Sequence, residues 1–259
     1  MTVALVTGAA KRLGREMALY LARRGYDVAV HYASSRVEAE ALAQDIRALG
    51  RRSGVFAADL LVEAEVQALI PKVRAELGAL SLLVNNASIF EYDSITNATR
   101  ESWDRHLESN LRAPYVLTQH FARQCPPVGR DDRGEPVASG LIVNMIDQRI
   151  HKPTPEFSSY TIAKMGLWAL TKTAAQGLAP TIRVNGIGPG PTLQGPSQSA
   201  SDFAAQRAAT LLGRGANPAD ITAALGFLID SPSVTGQMIA VDGGQHLGWQ
   251  TPDALVDGH

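Results

Sequence analysis

Short runs of Val, Ile, Leu and Ala, apolar at nearly every position, recur at 2–7, 27–32, 53–57, 80–85, 140–146, 181–187 and 237–241. A strand with one wet face alternates apolar and polar residues, so continuous apolarity predicts strands covered on both faces. Between these runs, longer stretches carry apolar residues at helical spacing. They predict helices near 12–24, 36–49, 62–77, 99–124, 157–178 and 217–230. Strand–helix alternation of this kind predicts an α/β fold, a doubly wound parallel sheet of about seven strands with helices on both faces and right-handed crossovers. No repeat or linker divides the pattern, so one domain spanning 1–259 is expected.

Two segments break the rhythm. Residues 126–139 are polar and rich in Pro, Gly and charge, which predicts an exposed, irregular loop without a role. Residues 188–201 are punctuated by Pro and Gly before a helical pattern resumes near Asp202, and a loop near 188–215 is expected to cover a substrate.

Composition narrows the partners. The net charge is -1, which gives no reason to expect nucleic acid or an anionic membrane surface. The single cysteine, Cys125, excludes an intrachain disulfide framework and reads as a small filler near a helix end. The chain starts Met1-Thr2-Val3-Ala4-Leu5-Val6-Thr7 without the pattern of a leader peptide, and no apolar stretch reaches the roughly 20 residues that span a bilayer. A cytoplasmic protein is expected, and Asn97-Ala98-Thr99 is expected to match the glycosylation tripeptide by chance.

Candidate chemistry begins at the end of the first strand, where Thr7-Gly8-Ala9-Ala10-Lys11-Arg12-Leu13-Gly14 opens the first helix. Glycines there allow a tight turn and bring backbone amides to a pyrophosphate at the helix N-terminus, the signature of the Rossmann fold. Arg12 replaces the usual middle glycine; it is either a surface arginine or a charge facing bound phosphates. The second strand ends His31-Tyr32-Ala33-Ser34-Ser35-Arg36, with hydroxyls and a cation in place of the acid that would bind a free ribose 2′-hydroxyl. That predicts NADPH. Asp59-Leu60 ends the third strand, where the carboxylate either accepts a bond from adenine or caps the next helix. Asn85-Asn86-Ala87-Ser88 ends the fourth, suited to lining a cofactor cleft.

Tyr160 and Lys164 lie one helical turn apart on one face. An ammonium beside a phenol favours the phenolate, so the pair predicts an acid–base tyrosine with a lowered pKa. Thirteen residues earlier stands Asp147, either a loop cap or part of the same chemistry. Trp168 reads as core, and His106 and His151 as ordinary surface or loop histidines. No histidine–acid grouping suggests a metal.

In this order, Thr7-Gly8, Gly14, Asp59, Asn85-Asn86-Ala87, Asn110, Tyr160, Lys164, Pro189-Gly190 and Asp242-Gly243-Gly244 resemble the short-chain dehydrogenase/reductase family along essentially the whole chain. The resemblance implies that Tyr160 exchanges the proton, that Lys164 binds the nicotinamide ribose and depresses the tyrosine pKa, and that Asn110 supports a relay water. It implies cofactor contacts through Ser88, Pro189 and Gly190 as well. It also implies a homotetramer. The family usually has serine where Asp147 stands. Thr-Gly-Ala-Ala-Lys-Arg-Leu-Gly, His-Tyr-x-x-Ser, Asn-Asn-Ala-Ser-x-Phe and Asn-Met-x-Asp resemble the pteridine reductases within that family. This implies a pterin- or folate-like substrate held by Arg12, Ser88, Phe90, Asp147 and Tyr160, with Phe90 stacking the pterin. The alternatives are a carbonyl reductase acting on a 3-oxoacyl, sugar or steroid-like ketone, and a non-catalytic NADPH sensor.

Overall fold

The computed structural model describes residues 2–195 and 198–249; Pro196 and Ser197 of the predicted substrate loop lie outside it. Its strands are β1 (Val3–Val6), β2 (Asp27–Tyr32), β3 (Ser53–Ala57), β4 (Leu80–Asn85), β5 (Gly129–Arg130), β6 (Pro136–Val137), β7 (Gly140–Met145), β8 (Ile182–Pro189) and β9 (Met238–Val241). The helices are α1 (Arg12–Arg23), α2 (Arg36–Ala48), α3 (Glu63–Leu77), α4 (Arg100–Leu107), α5 (Ala113–Gln124), α6 (Ser158–Leu178), α7 (Ala200–Ala208) and α8 (Pro218–Asp230). Seven strands pair in the order β3-β2-β1-β4-β7-β8-β9, all parallel. The order reverses between β1 and β4, and a crevice opens at the carboxyl ends beside such a switch point.

Burial on both faces explains the unbroken apolar strands. Ala4, Val6, Val28 and Val30 face α1, α2 and α8, packing with Met17, Leu21, Leu42, Ile46 and Leu225. Their neighbours Val3, Leu5 and Ala29 face the other way, against Leu69, Val73, Leu117 and Phe121 of α3 and α5. Every inter-strand crossover thus returns a helix to one of two separate cores, and the loops carrying chemistry are left at one edge.

Three expectations need correction. The single helix over 99–124 is interrupted by a π-helical turn at Glu108–Arg112. Pro114 has no N–H for the carbonyl four residues back, so a widened turn accommodates it. Residues 126–139 are an ordered hairpin, β5 against β6, rather than an irregular loop. Asp131 Oδ1 accepts the N–H groups of Arg133 and Glu135, and Gly134 turns the chain at φ +78°. Trp168 is half-buried rather than core, with the Lys172 ammonium 4.9 Å from its ring centre.

Elsewhere the reading holds with small shifts. β8 runs on to Pro189, and α7 starts at Ala200 with Ser199 Oγ accepting the Asp202 N–H. Thr99 of the apparent glycosylation tripeptide caps α4 reciprocally with Ser102. Among the described residues no helix is long and apolar enough to cross a membrane.

Candidate functional site

The β1–α1 turn is tight for stated reasons. Gly8 sits at φ +60°, and a Cβ on Gly14 would come within 2.2 Å of the Gly8 carbonyl oxygen, so only glycine lets α1 approach β1 this closely. The α1 N-terminus carries no side-chain cap and no acid in its first turn, leaving its amide groups available to an anion. Arg12 adopts φ 54°, in the left-handed region, at a cost of roughly 1–2 kcal/mol. Its guanidinium donates to the carbonyls of Gln194 (2.8 Å) and Leu193 (3.2 Å), so it reaches across the crevice to the loop after β8.

Beneath this turn lies a scaffold. Thr7 Oγ1 accepts the N–H groups of both Asn86 (2.9 Å) and Ala87 (3.0 Å), and Asn86 Nδ2 donates to the Thr7 carbonyl at 2.8 Å. The β1 and β4 turns are thereby fixed to one another. His31 is fully buried; its Nδ1 accepts the Gly8 N–H at 2.9 Å while Nε2 faces the Ala58 carbonyl at 3.0 Å. Burial lowers its pKa from 6.5 to about 4, so the ring is neutral with the proton on Nε2. The sequence reading placed His31 against the cofactor. The structure places it one layer below, with both nitrogens occupied.

Nearby, Tyr32 is buried, Ser34 and Arg36 are exposed, and Ser35 is half-buried at the start of α2. Two carboxylates escaped the strand-end reading: Glu38 meets Lys11 at 2.7 Å and Glu40 meets Arg36 at 2.7 Å. Asp59 is exposed and its Oδ1 accepts the Leu61 N–H at 2.9 Å, a local turn cap, while the Leu60 side chain joins the core under α3.

The central cluster forms where β7 meets α6. Tyr160 Oη donates to Asp147 Oδ2 at 2.8 Å, and Asp147 Oδ1 accepts the Arg149 N–H at 2.8 Å. Lys164 is buried and donates to the Met145 carbonyl at 2.8 Å. Burial lowers its pKa from 10.5 to about 8, with Asp147 opposing. Desolvation raises the Asp147 carboxyl, and the Arg149 N–H and Tyr160 hydroxyl pull it back. Tyr160 itself is pushed well above its ordinary value, first by burial and then by the Asp147 charge. The expected depression by Lys164 is overturned: without cofactor, burial and Asp147 dominate and the phenol stays protonated.

Asn110, in the π-helical turn, is buried and engages Ile89 with both ends of its carboxamide, accepting its N–H (2.9 Å) and donating to its carbonyl (2.8 Å). It fixes the segment after β4, which carries Ser88 and Phe90. Phe90 is half exposed, stacks on Phe157 (centroids 4.2 Å, 11° between planes) and meets Tyr160 edge-on at 4.7 Å. Phe157, at φ 56°, has the Arg149 guanidinium 5.2 Å from its ring centre. His106, expected at the surface, is fully buried. Its Nε2 accepts the Glu91 N–H at 3.1 Å and its Nδ1 meets Ser159 Oγ at 2.7 Å, while Ser159 Oγ donates to Asp93. This chain of side chains ties the Phe90 segment to the first turn of α6.

These groups surround a cavity of about 580 Å³ lined by Gly8, Lys11–Gly14, Asn86, Ser88, Phe90, Asp147, Tyr160, Lys164 and Pro189–Gly190. His31, Tyr32, Ser34, Ser35, Asp59, Leu60 and Ala87 are not in its wall. Sequence reasoning missed Gln148, Arg149 and Gln245, which also line the cavity, as do Thr192 and Gln206 of the expected covering loop. Arg207 staples the covering loop from the other side, donating to the carbonyls of Pro191 (2.9 Å) and Ala216 (2.6 Å).

The family model described as enoyl-(acyl carrier protein) reductase matches residues 8–246. A 3-oxoacyl-[acyl-carrier-protein] reductase, FabG of Staphylococcus aureus, is 34% identical over 249 residues, covering 94% of this chain and 98% of the relative. The chain belongs to the short-chain dehydrogenase/reductase family. Among solved structures, FolM alternative dihydrofolate reductase 1 from Brucella canis, complexed with NADP, is 40% identical with a TM-score of 0.89, covering 98% of each chain. The landomycin C-6 ketoreductase LanV, with bound NADP and rabelomycin, is 28% identical with a TM-score of 0.83, covering 95% of this chain and 97% of that one.

Proposed function

We propose that this short-chain reductase uses NADPH to reduce a pteridine of the dihydropterin or dihydrofolate type. The residues present fit a dinucleotide. The glycine turn leaves room at an uncapped helix N-terminus, Lys11 and Arg12 flank it, and Ser34, Ser35 and Arg36, which follow β2, would meet a 2′-phosphate. Bound there, NADPH supplies the hydride. Lys164 would hold the nicotinamide ribose, and Pro189 and Gly190 line the same cavity.

The observation carrying the substrate reading is the 2.8 Å bond from Tyr160 to Asp147 at the position where the family usually has serine. Reducing a C=N bond adds hydride to carbon and a proton to nitrogen. Tyr160, kept protonated by burial and by Asp147, would carry the proton which that step requires. Asp147, itself pushed up by burial, holds the phenol in place and returns a proton to it from solvent. Phe90, already backed by Phe157, offers a flat face to a planar heterocycle. Asn110 keeps that wall in register. The 40% identity to FolM supports this reading.

A second reading, a 3-oxoacyl or other carbonyl reductase, is favoured by the 34% identity to FabG over nearly the whole chain. NADPH oxidation measured with dihydrobiopterin, dihydrofolate and a panel of ketones separates the two. Ketone turnover without pteridine turnover would sink the first. We further expect self-association, supported by the exposed Trp103, Tyr115, Ile162 and Met165 on α4, α5 and α6; sedimentation velocity reads it directly.

A further inference from the structure

Asp147 is followed by Gln148, whose side chain the chemistry above leaves unused. Gln148 opens the short 3₁₀ turn Gln148–Ile150, with Asp147 as its cap. The residue is 8% exposed, yet it lines the cavity beside Asp147 and Tyr160. Its Oε1 has no hydrogen-bond partner among the described residues. A buried carbonyl oxygen left alone costs on the order of 1–3 kcal/mol, and this one belongs to a residue of the cavity wall. The next residue repeats the pattern with opposite polarity: Arg149 also lines the cavity, and its Nε–H is buried without a partner among the described residues. One of its two terminal nitrogens donates to Thr154 Oγ1, which helps hold the side chain in place.

We infer that Gln148 is a specificity-determining residue that accepts a hydrogen bond from a ring N–H or amino group of the substrate, with Arg149 offering the matching donor to a neighbouring acceptor. The adjacent acceptor and donor suit an edge that presents both, as the amide-like edge of an oxo- or amino-substituted nitrogen heterocycle does. A simple ketone brings no N–H to this wall and would leave the Gln148 oxygen unpaired. A site built to bond an N–H discriminates strongly against an analogue that lacks it, because its own polar group is then stranded. This inference rests on the pteridine reading and assigns the residue that would enforce it.

The test pairs substrates with variants of the full-length enzyme. A 2-amino-4-oxo-dihydropteridine is compared with its N-methylated analogue, in which the ring N–H and amino donors are blocked, and with a ketone that lacks N–H groups. Wild type should favour the unblocked pteridine by roughly 10-fold or more in kcat/KM, a hydrogen bond's worth of discrimination. In Gln148→Met that preference should collapse, through a raised KM for the unblocked pteridine rather than a lowered kcat, while NADPH affinity stays as it was and turnover of any ketone, no longer facing a stranded oxygen, rises or holds. The wild-type comparison stands even where the variant folds poorly. Pteridine turnover in wild type with equal rates for the blocked analogue, or an unchanged preference in Gln148→Met, would overturn the role of Gln148 alone. No wild-type turnover of any pteridine would remove the substrate reading and this inference with it.

Discussion

The Tyr160 hydroxyl donates to Oδ2 of Asp147 across 2.8 Å, and this bond joins the first turn of α6 to the end of β7. The phenol is raised by burial first and by the Asp147 charge second. Replacing Asp147 by Asn removes the charge and keeps the shape. The fall of reductase activity at high pH, as the acid Tyr160 loses its proton, should therefore move to lower pH in Asp147→Asn. Asp147→Ser should cut pteridine turnover by about 10²-fold while NADPH binding changes little. A pH–rate profile of kcat/KM together with NADPH titration checks both; superimposable profiles would leave Asp147 as a loop cap.

Lys164 is buried as an ammonium with one hydrogen bond to protein, from Nζ to Met145. Lowering its pKa from 10.5 to about 8 corresponds to a charging cost of roughly 3 kcal/mol at neutral pH. Lys164→Met should raise the melting temperature of the cofactor-free protein and abolish reduction. Thermal unfolding of both proteins without cofactor decides this, and a lower Tm in the variant contradicts it.

His31 works in the opposite pH range. Its folded pKa of about 4 lies below 6.5, so the unfolded chain binds the extra proton between those values. The stability from its neutral ring is complete above pH 6.5 and is lost as pH falls through 4, up to roughly 3 kcal/mol. Urea unfolding between pH 7 and pH 4 should show a shallower decline in His31→Gln than in wild type. Parallel declines would point to another group.

Arg36 and Lys11 are held by Glu40 and Glu38 until an anion competes. Arg36→Ala should weaken NADPH by roughly 10-fold and leave NADH nearly unaffected, since only the 2′-phosphate offers the guanidinium a charge-assisted hydrogen bond. Glu38→Gln, which frees Lys11, should tighten NADPH. Fluorescence titration with both nucleotides reads the two effects.

Phe90 gives its outer face to the cavity because Phe157 covers the other. Phe90→Ala should raise the pteridine KM up to about 10-fold with kcat little changed, in keeping with the 0.5–1.5 kcal/mol of an aromatic pair. Steady-state kinetics suffices, and an unaltered KM would reassign Phe90 to packing.

The sheet was legible because two-sided burial leaves unbroken apolar runs, and the Tyr160–Lys164 pair because helical spacing puts both on one face. Pro114 marks a break near 108–112, but the bonds that Asn110 makes from that turn to the Ile89 backbone, 21 residues away, could not be read from spacing. His106 carries no local mark of burial; its partners, Ser159 and the Glu91 backbone, arrive from other segments. The tyrosine pKa was misjudged for the same reason. Charge proximity can be read from spacing, whereas the desolvation that outweighs it belongs to the folded molecule. Gln148 and Phe157 gave no signal, because an orphan carbonyl and a left-handed aromatic exist only in three dimensions.

The wall of the cavity is assembled from separate strand ends: Gly8 and Lys11–Gly14 follow β1, Asn86, Ser88 and Phe90 follow β4, Asp147, Gln148 and Arg149 follow β7, and Gly190–Leu193 follow β8. Each group is anchored to its own strand, so one part of the wall can change while the sheet that carries the others stays as it is. Relatives named for an acyl carrier protein, dihydrofolate and landomycin share this frame.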